Sequence, residues 1–310
     1  MTTTRVYTSA DSGAPSMSRG AAGSAIAVIK ACLVDGYGSK APAGWTMPYS
    51  TSGKAAFRNS VAAGGTGAYT RIEDTLTATT SRYTLQTYAS MSDVDTGVTG
   101  THVVSAYRSP AQTANPNNWI LVADEKTFWF ANTDGPSITS AHSFSGGGDG
   151  FDGSDPYRYM AWGTNGTNAN SEVEALAQSS ATGLGATGAS GFSFGSDYTG
   201  TSGATWHGLL RPYAAASTGA ATVGSTSFPA RPAPNGVGEA ALPAYITAAT
   251  IIRGKLRGLY IPLANLQALS LGAVKSGDGF GGVGSVVAAL FSGSGTTRGA
   301  MWVETSLPWS

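Results

Sequence analysis

The chain has 310 residues, of which only 12% are charged, and its formal net charge is zero. Phosphate binding needs clustered Lys and Arg, whereas the basic residues here are scattered, so we expect no nucleic-acid partner. A net charge near zero favours association, and together with 43 glycines this composition is typical of a protein that works inside an assembly.

Residues 1–23 are polar and Gly-rich, which predicts an extended N-terminal arm that neighbouring chains would order. This segment lacks the apolar core of a signal peptide, and the chain nowhere approaches the run of about 20 apolar residues that a membrane helix needs. We therefore expect a soluble protein that is made in the cytoplasm and has no membrane partner.

A short helix is predicted from Ser24 onward, because apolar residues recur at helical spacing at Ile26, Ile29, Cys32 and Leu33. Ser24 is a candidate N-cap, and Gly36 with Gly38 would end the helix in a left-handed turn. Cys32 is the only cysteine and lies on the apolar side, so we interpret it as a buried structural thiol. One cysteine forms neither a disulfide framework nor a cysteine-based zinc site within the chain.

From Tyr69 the pattern becomes typical of β-strands, with Thr, Tyr and β-branched residues at alternate positions and turn residues between the runs. Both alternating sets of residues 119–123 are apolar, so this strand should be covered on both faces. We predict a mainly β fold, with two antiparallel β-sandwich-like units, a short N-terminal helix and long Gly/Ser-rich loops.

The chain divides by composition after the N-terminal arm. Residues 24–165 contain the helix and a first β unit, and residues 166–204 form a Gly/Ser/Thr-rich connector with too few apolar residues for a core of its own. A short helical pattern lies at 171–178 within this connector. Residues 205–310 are predicted to form a second β unit, with a hairpin loop at 293–297.

Arg253, Lys255 and Arg257 are the only tight basic group, and their alternate spacing on a predicted strand places them on one face. We interpret them as a solvated or interface face rather than a nucleic-acid contact, given the neutral chain. The histidines His102, His142 and His207 lie in separate segments without a partner at metal-ligand spacing. We expect no catalytic, cofactor-binding or metal site.

A loop rich in Gly and Asp contains Asp149, Asp152 and Asp155, whose oxygens are the ligand type that Ca²⁺ accepts. Residues 147–152 fit the start of a GGxGxD repeat, but Ser154 stands where an apolar residue should follow. A Gly-Asp loop that joins two strands is therefore favoured over a calcium site, which stays an open alternative.

Paired carboxylates raise the question of glycoside hydrolysis, for which the pairs are Glu73/Asp74, Asp93/Asp95 and Asp124/Glu125. Adjacent residues on a strand point to opposite faces, and Asp93 with Asp95 fit a turn better than a catalytic pair. Aromatic residues could line a carbohydrate platform or fill the core, and the apolar strands favour the core, for Trp119, Phe128, Trp129, Phe130, Tyr157, Tyr159 and Trp162.

Several strings resemble, in their order, a family of structural proteins from tailed bacteriophage particles. After the predicted helix come GYGSK (36–40), GWTMPYS (44–50), KAAFR (54–58), YASMSDVDTG (88–97), WILVADEKTFWF (119–130) and MWVETSLPW (301–309). The resemblance implies a non-enzymatic virion component, made in the host cytoplasm, that contacts itself and other virion proteins as a symmetric homo-oligomer.

Within such a particle, a tail, collar or baseplate position is favoured over capsid decoration. Lys40, Lys54 and Arg58, which lie within the opening strings, are then candidates for contacts with neighbouring chains. The alternative function is a receptor- or glycan-binding module of a tail fibre or spike, with or without hydrolytic activity.

Overall fold

The computed structural model describes residues 2–18, 20–75, 82–108, 118–133, 142–163, 192–197, 199–200, 203–210, 241–248, 251–262, 274–276, 283–291 and 298–309. The helical segments are α1, Ser24–Lys30, and a π-helical continuation, Ala31–Asp35. The strands are β1 Arg5–Thr8, β2 Thr46–Thr51, β3 Lys54–Arg58, β4 Tyr69–Glu73, β5 Arg82–Met91, β6 Gly97–Gly100, β7 Val104–Tyr107, β8 Asn118–Ala123, β9 Thr127–Thr133, β10 His142–Asp149, β11 Tyr159–Gly163, β12 Phe192–Phe194, β13 Thr205–Leu210, β14 Ala241–Ala248, β15 Ile251–Pro262, β16 Val274–Ser276, β17 Val283–Phe291 and β18 Arg298–Glu304.

The predicted fold class is confirmed, since the described chain is mainly β with antiparallel sheets and one short helix near the N-terminus. A large sheet has the strand order β1-β8-β9-β10-β11-β12-β13-β14-β15-β18-β17-β16. A small sheet has the order β2-β3-β4-β5-β6, and β7 also pairs with β5. The large sheet and the small sheet form separate layers of the fold.

Two hydrophobic cores lie on opposite faces of the large sheet. The first core packs helix α1 and the small sheet against it, with Phe57, Ile72 and Leu85 from the small sheet. The second core joins residues of β8–β12 to residues of β14, β15 and β18, so the large sheet folds back on itself. A strand that faces only one of these cores buries alternate residues.

Strand β8 confirms the prediction that both of its faces are covered. Trp119, Leu121 and Ala123 lie in the first core, whereas Ile120 and Val122 lie in the second. A strand that separates two cores needs apolar residues at every position, which is why its sequence shows no polar alternation.

The start of helix α1 differs from the prediction that Ser24 caps it. Gly23 is the N-cap, with a φ of 81°, and the Ser24 hydroxyl bonds with the backbone of Ser18 instead. The Asp74 carboxylate accepts the Ala25 N–H at 2.9 Å and so supplies the cap from the end of β4. A tertiary contact therefore replaces the local one.

Gly36 ends the helical segment as predicted, but with a φ of 75° and a ψ of 172° it lies outside the left-handed helical conformation. Cys32 is fully buried in the first core, as predicted. Burial raises the pKa of the Cys32 thiol well above its ordinary value. The thiol therefore contributes packing rather than a reactive thiolate.

Parts of the predicted arm and connector belong to the large sheet. Strand β1, within residues 1–23, pairs with β8, and Met17 is fully buried, so this segment is ordered by its own chain rather than by neighbours. Strand β12, within the connector, pairs with β11 and β13. The helical pattern at 171–178 and the hairpin loop at 293–297 lie outside the described residues.

Within the described ranges, no helix has the length and apolarity needed to cross a membrane.

Candidate interaction site

The Gly-Asp loop, for which calcium was an alternative, uses its carboxylates inside the fold. Asp149 is almost fully buried and accepts hydrogen bonds from Asn59 Nδ2 at 2.9 Å and from the Thr66 N–H at 3.0 Å. Arg158 Nε lies 3.3 Å from Asp149 Oδ2. Burial raises the pKa of Asp149, and the Thr66 and Arg158 contacts oppose that rise. Asp149 therefore joins this loop to the loop after β3.

The other two loop carboxylates are paired with separate cations. Asp152 contacts both Lys126 and Arg257, and Asp155 Oδ2 lies 3.0 Å from Arg253 Nε. Because each carboxylate turns to a different partner, the three do not converge on one ion. Among the residues that the structure describes, no group of three His, Cys, Asp or Glu side chains is arranged to hold a metal.

The basic residues of β15 are not a solvated face, so that interpretation is wrong for two of the three. Arg257 is fully buried and pairs with the fully buried Asp124. Arg253 has a side chain only 1% exposed, and its guanidinium carbon lies 4.7 Å from the ring centroid of Phe194. Lys255 is half-buried. Arg253 and Arg257 therefore bind β15 to the Gly-Asp loop.

The adjacent carboxylates at the end of β4, Glu73 and Asp74, diverge as expected. Asp74 is fully buried and paired with Arg108, while Glu73 pairs at the surface with Arg71 at 2.8 Å. Burial raises the pKa of Asp74, and Arg108 opposes that rise. Asp74 thus serves the fold, as the cap of helix α1 also requires.

Asp124 and Glu125 diverge in the same way at the β8–β9 turn. Asp124 Oδ1 accepts the N–H groups of Lys126 and Thr127, both at 2.9 Å, and its other oxygen meets Arg257. Glu125 accepts the Thr3 N–H at 2.9 Å. The two carboxylates therefore face different parts of the chain.

The aromatic residues named as either core or platform are confirmed as core in all but one case. The buried ones are Trp119, Phe128, Trp129, Phe130, Tyr159 and Trp162, while Tyr157 is half-buried. His102 is half-buried, and its backbone N–H donates to Ser193 Oγ at 2.8 Å. His142 and His207 lie on β10 and β13, with side chains outside the described part of the structure.

The outer face of the small sheet, which lies opposite the first core, carries a different set of aromatic residues. The register places Arg58 opposite Tyr69, and Tyr69 opposite Tyr88. Tyr49 stacks on Tyr69 with ring centroids 6.0 Å apart and an interplanar angle of 22°. The Arg58 guanidinium carbon lies 5.3 Å from the Tyr69 centroid. We call Tyr49, Arg58, Tyr69 and Tyr88 together the tyrosine row.

Exposed aliphatic side chains lie beside the tyrosine row. Val98 of β6 is 61% exposed and lies opposite Ser90, on the same face as Tyr88. Val61, just after β3, is 56% exposed and adjoins Gly67, whose carbonyl accepts a hydrogen bond from Arg58. The outer face therefore combines tyrosine rings, an arginine and exposed valines.

The turn between β5 and β6 folds over one end of this face and pairs most of its charges. Asp95 contacts Lys54 at 2.7 Å and Arg71 at 2.8 Å, and Arg71 Nε donates to the Val94 carbonyl at 2.8 Å. The hydrogen bonds from Lys54 and Arg71 lower the pKa of Asp95. The charges of Lys54, Arg71, Glu73 and Asp95 therefore balance one another, and their contacts hold the turn in place.

Two charges on or beside the outer face have no internal partner of opposite sign among the described residues. Arg58 is exposed, and it contacts the Gly67 carbonyl at 3.2 Å and the Tyr69 ring. Asp93 is exposed and accepts the Asp95 N–H at 2.7 Å, which confirms the predicted turn. That hydrogen bond, with those from Thr96, lowers the pKa of Asp93, so the side chain is charged at neutral pH.

The three predicted contact residues do not lie together. Lys54 and Arg58 both belong to β3 and the outer face, whereas Lys40 lies at the edge of the large sheet. Its Nζ donates to the Val6 carbonyl of β1 at 3.0 Å and lies 3.3 Å from Asp11. A lysine at this position protects an edge strand from pairing with another chain.

The outer face is suited to recognition, since rigid rings and an open guanidinium bind planar, apolar and anionic groups. Sequence reasoning found Lys54 and Arg58 there but missed the tyrosines and Asp93 as parts of one surface. The sequence signal that could have identified the tyrosines is the alternate spacing of polar and aromatic residues in β4 and β5. Comparison with known proteins gives no match, either to a protein-family model or to a curated protein.

Proposed function

We propose that the chain is a non-enzymatic structural component of a tailed-phage virion that acts through symmetric contacts between protein subunits. The observation that carries the proposal is the outer face of the small sheet, with its tyrosine row and exposed valines. Tyr and Arg are enriched where protein interfaces gain most of their energy, and apolar neighbours exclude water around them. The sequence resemblance to phage structural proteins supports the same function.

The use of the acidic residues inside the fold also supports a structural role. The carboxylates that could have formed hydrolytic pairs instead cap a helix, close a turn or neutralise buried arginines, as Asp74 and Asp124 do. Groups that are fixed in this way stabilise the chain rather than offer a proton to a substrate. We favour a tail, collar or baseplate position over capsid decoration, by analogy with two-unit β proteins that bridge rings.

An antibody against the purified chain tests the proposal. Tailed particles induced from the organism that encodes the chain are purified and labelled with this antibody and gold, then viewed by electron microscopy. We expect label at repeated positions on the particle, concentrated on the tail. Particles without label, with the chain recovered only as free protein from the cells, would contradict a structural role.

The second candidate function is glycan or receptor binding. It is favoured by Tyr49, Tyr69 and Tyr88 on one face, with the carboxylates of Glu73 and Asp95 nearby. Against it, Tyr69 is already engaged by Tyr49 and Arg58, whereas a sugar platform presents open ring faces. Micromolar binding to a glycan array that is lost on Tyr69→Ala would favour this candidate over the structural role.

A further inference from the structure

We infer that a second copy of this chain docks on the outer face of the small sheet, with Arg58 of one copy paired with Asp93 of the other. The inference rests on the proposed function as an assembly component and names the partner as the chain itself. The basis of the inference is that Arg58 and Asp93 lie on or beside one face, carry opposite charges and form no ion pair within the described part of the single chain.

Charge complementarity is the first step of the argument. The charged groups at the β5–β6 end of the face pair with one another, through Lys54, Arg71, Glu73 and Asp95. Arg58 and Asp93 are exposed and of opposite sign, and neither forms an ion pair among the described residues. A copy of the same surface supplies to each the partner that it lacks.

The apolar part of the face fits a protein partner. The tyrosine row is flanked by Val61 and Val98, so a neighbouring chain would cover rings and aliphatic groups together. A free acidic ligand would engage Arg58 but would leave both valines and Asp93 in water. Burial of apolar area around a central arginine and tyrosines is the usual composition of an energetic centre.

The side chains of the face are held before any partner arrives. The ring of Tyr88 lies so close over β6 that a Cβ added to Gly97 would fall 2.3 Å from it, and its hydroxyl bonds to Gln86. The hydroxyl of Tyr49 donates to the Met91 carbonyl at 3.1 Å. Because these rings are already ordered, docking loses little side-chain entropy.

The Arg58–Asp93 pair can form in either of two symmetric assemblies, a two-fold dimer or a ring. In a two-fold dimer, Arg58 of each copy meets Asp93 of the other, and the pair is made twice. In a ring, each copy contributes Arg58 to one neighbour and Asp93 to the next. The Arg58–Asp93 contact is therefore required in both arrangements, so one set of variants tests both.

Charge reversal of the purified full chain tests the inference by sedimentation velocity across a concentration series. We expect the wild type to self-associate, and Arg58→Glu or Asp93→Arg alone to weaken that association by about tenfold or more. The double reversal Arg58→Glu/Asp93→Arg should restore association to within about threefold of the wild type. Rescue of this kind requires the two residues to meet across the interface.

Two further sets of variants keep the test decisive. Arg58→Gln and Asp93→Asn remove charge with little change in shape, and Asn retains the oxygen that caps the turn, so they replace any reversal that fails to fold by circular dichroism. Lys30→Glu, at a partly exposed site on the helical segment, changes the net charge by as much as Arg58→Glu does and should leave association unchanged. Loss of association in this control would mean a general charge effect and would overturn the inference.

The remaining outcomes also separate this inference from the proposed function. A wild type that stays monomeric, or single variants that associate like the wild type, would overturn the docking of a second copy, even where gold label on particles upholds the virion role. Self-association with rescue but no label on particles would uphold the docking and remove the virion role. Monomeric protein that binds acidic glycans through Arg58 would assign the face to a saccharide instead.

Discussion

Replacing Arg257 with Met should be among the most destabilising single changes in this chain. Arg257 is fully buried, and it contacts Asp124, Asp152 and Thr127 Oγ1, the last at 3.1 Å. Methionine fills much of the same volume but leaves Asp124 as a fully buried carboxylate without its cation. The side chain of Asp152 is 40% exposed and still pairs with Lys126 in this variant, so losing the Arg257–Asp152 pair contributes little to the destabilisation.

The size of the destabilisation follows from the Asp124 carboxylate, which is left buried without its cation. Removing one partner of a buried ion pair costs about 3–5 kcal/mol, because the remaining charge is desolvated and uncompensated. The double variant Arg257→Met/Asp124→Asn removes that charge, and Asn keeps an oxygen for the N–H groups of the β8–β9 turn. The double variant should therefore be more stable than Arg257→Met alone, although it lacks both charges.

Urea unfolding, followed by tryptophan fluorescence and by circular dichroism, measures these differences, since coincident transitions justify a two-state treatment. The reasoning would be refuted if Arg257→Met lowered the free energy of unfolding by less than about 1 kcal/mol, well below the range for a broken buried pair. It would equally be refuted if the double variant were no more stable than the single one.

Three other changes test separate features. Thr99 has a φ of 50°, a costly conformation for a β-branched residue, so Thr99→Gly should raise the free energy of unfolding by about 1 kcal/mol, measured by urea unfolding; a loss of stability would contradict this. Gly258 has a φ of 65°, and an added Cβ would fall 2.2 Å from Trp309, so Gly258→Ala should cost about 2 kcal/mol or more, and an unchanged melting temperature would count against that packing. Lys54→Met should raise the pKa of Asp95 by removing a hydrogen bond, as an NMR titration of its carboxyl carbon would detect. Because a lowered folded pKa gives stability above the unfolded value that is lost on acidification, this variant should lose less stability than the wild type as pH falls through the pKa of Asp95; an unshifted titration would exclude the pair.

The elements that depend on local patterns could be predicted from the sequence. The helical spacing of Ile29, Cys32 and Leu33 identified the short helix near the N-terminus, and the continuous apolar run of β8 identified a strand between two cores. Both patterns arise because side-chain direction repeats with the geometry of the element itself. The antiparallel β class followed from the same periodicity.

The contacts between distant segments could not be predicted in this way. Arg257 and Asp124 are 133 positions apart, and sequence spacing alone gives no reason to join them. The predicted cap of α1 was wrong for the same reason. Asp74, just after β4, accepts the hydrogen bond from the start of the helix, and the Ser24 hydroxyl bonds to Ser18 instead. Buried ion pairs and caps of this kind are set by tertiary packing.

The candidate site was only half visible for a related reason. Arg58 and Lys54 stood out as charges in one strand, but the row they share with Tyr69 and Tyr88 depends on the pairing register of β3, β4 and β5. A shift of one residue would have turned those rings into the first core. Register is fixed by the buried face and by the turns, which the sequence indicates only in outline.

An electron cryomicroscopy map of the gold-labelled particles would test the central claim most directly, because it shows where the chain lies and which face is covered. We predict copies repeated around a symmetry axis, with the tyrosine row and Arg58 buried against a neighbouring subunit. Copies whose outer face is open to solvent, with contacts made elsewhere on the chain, would contradict the account.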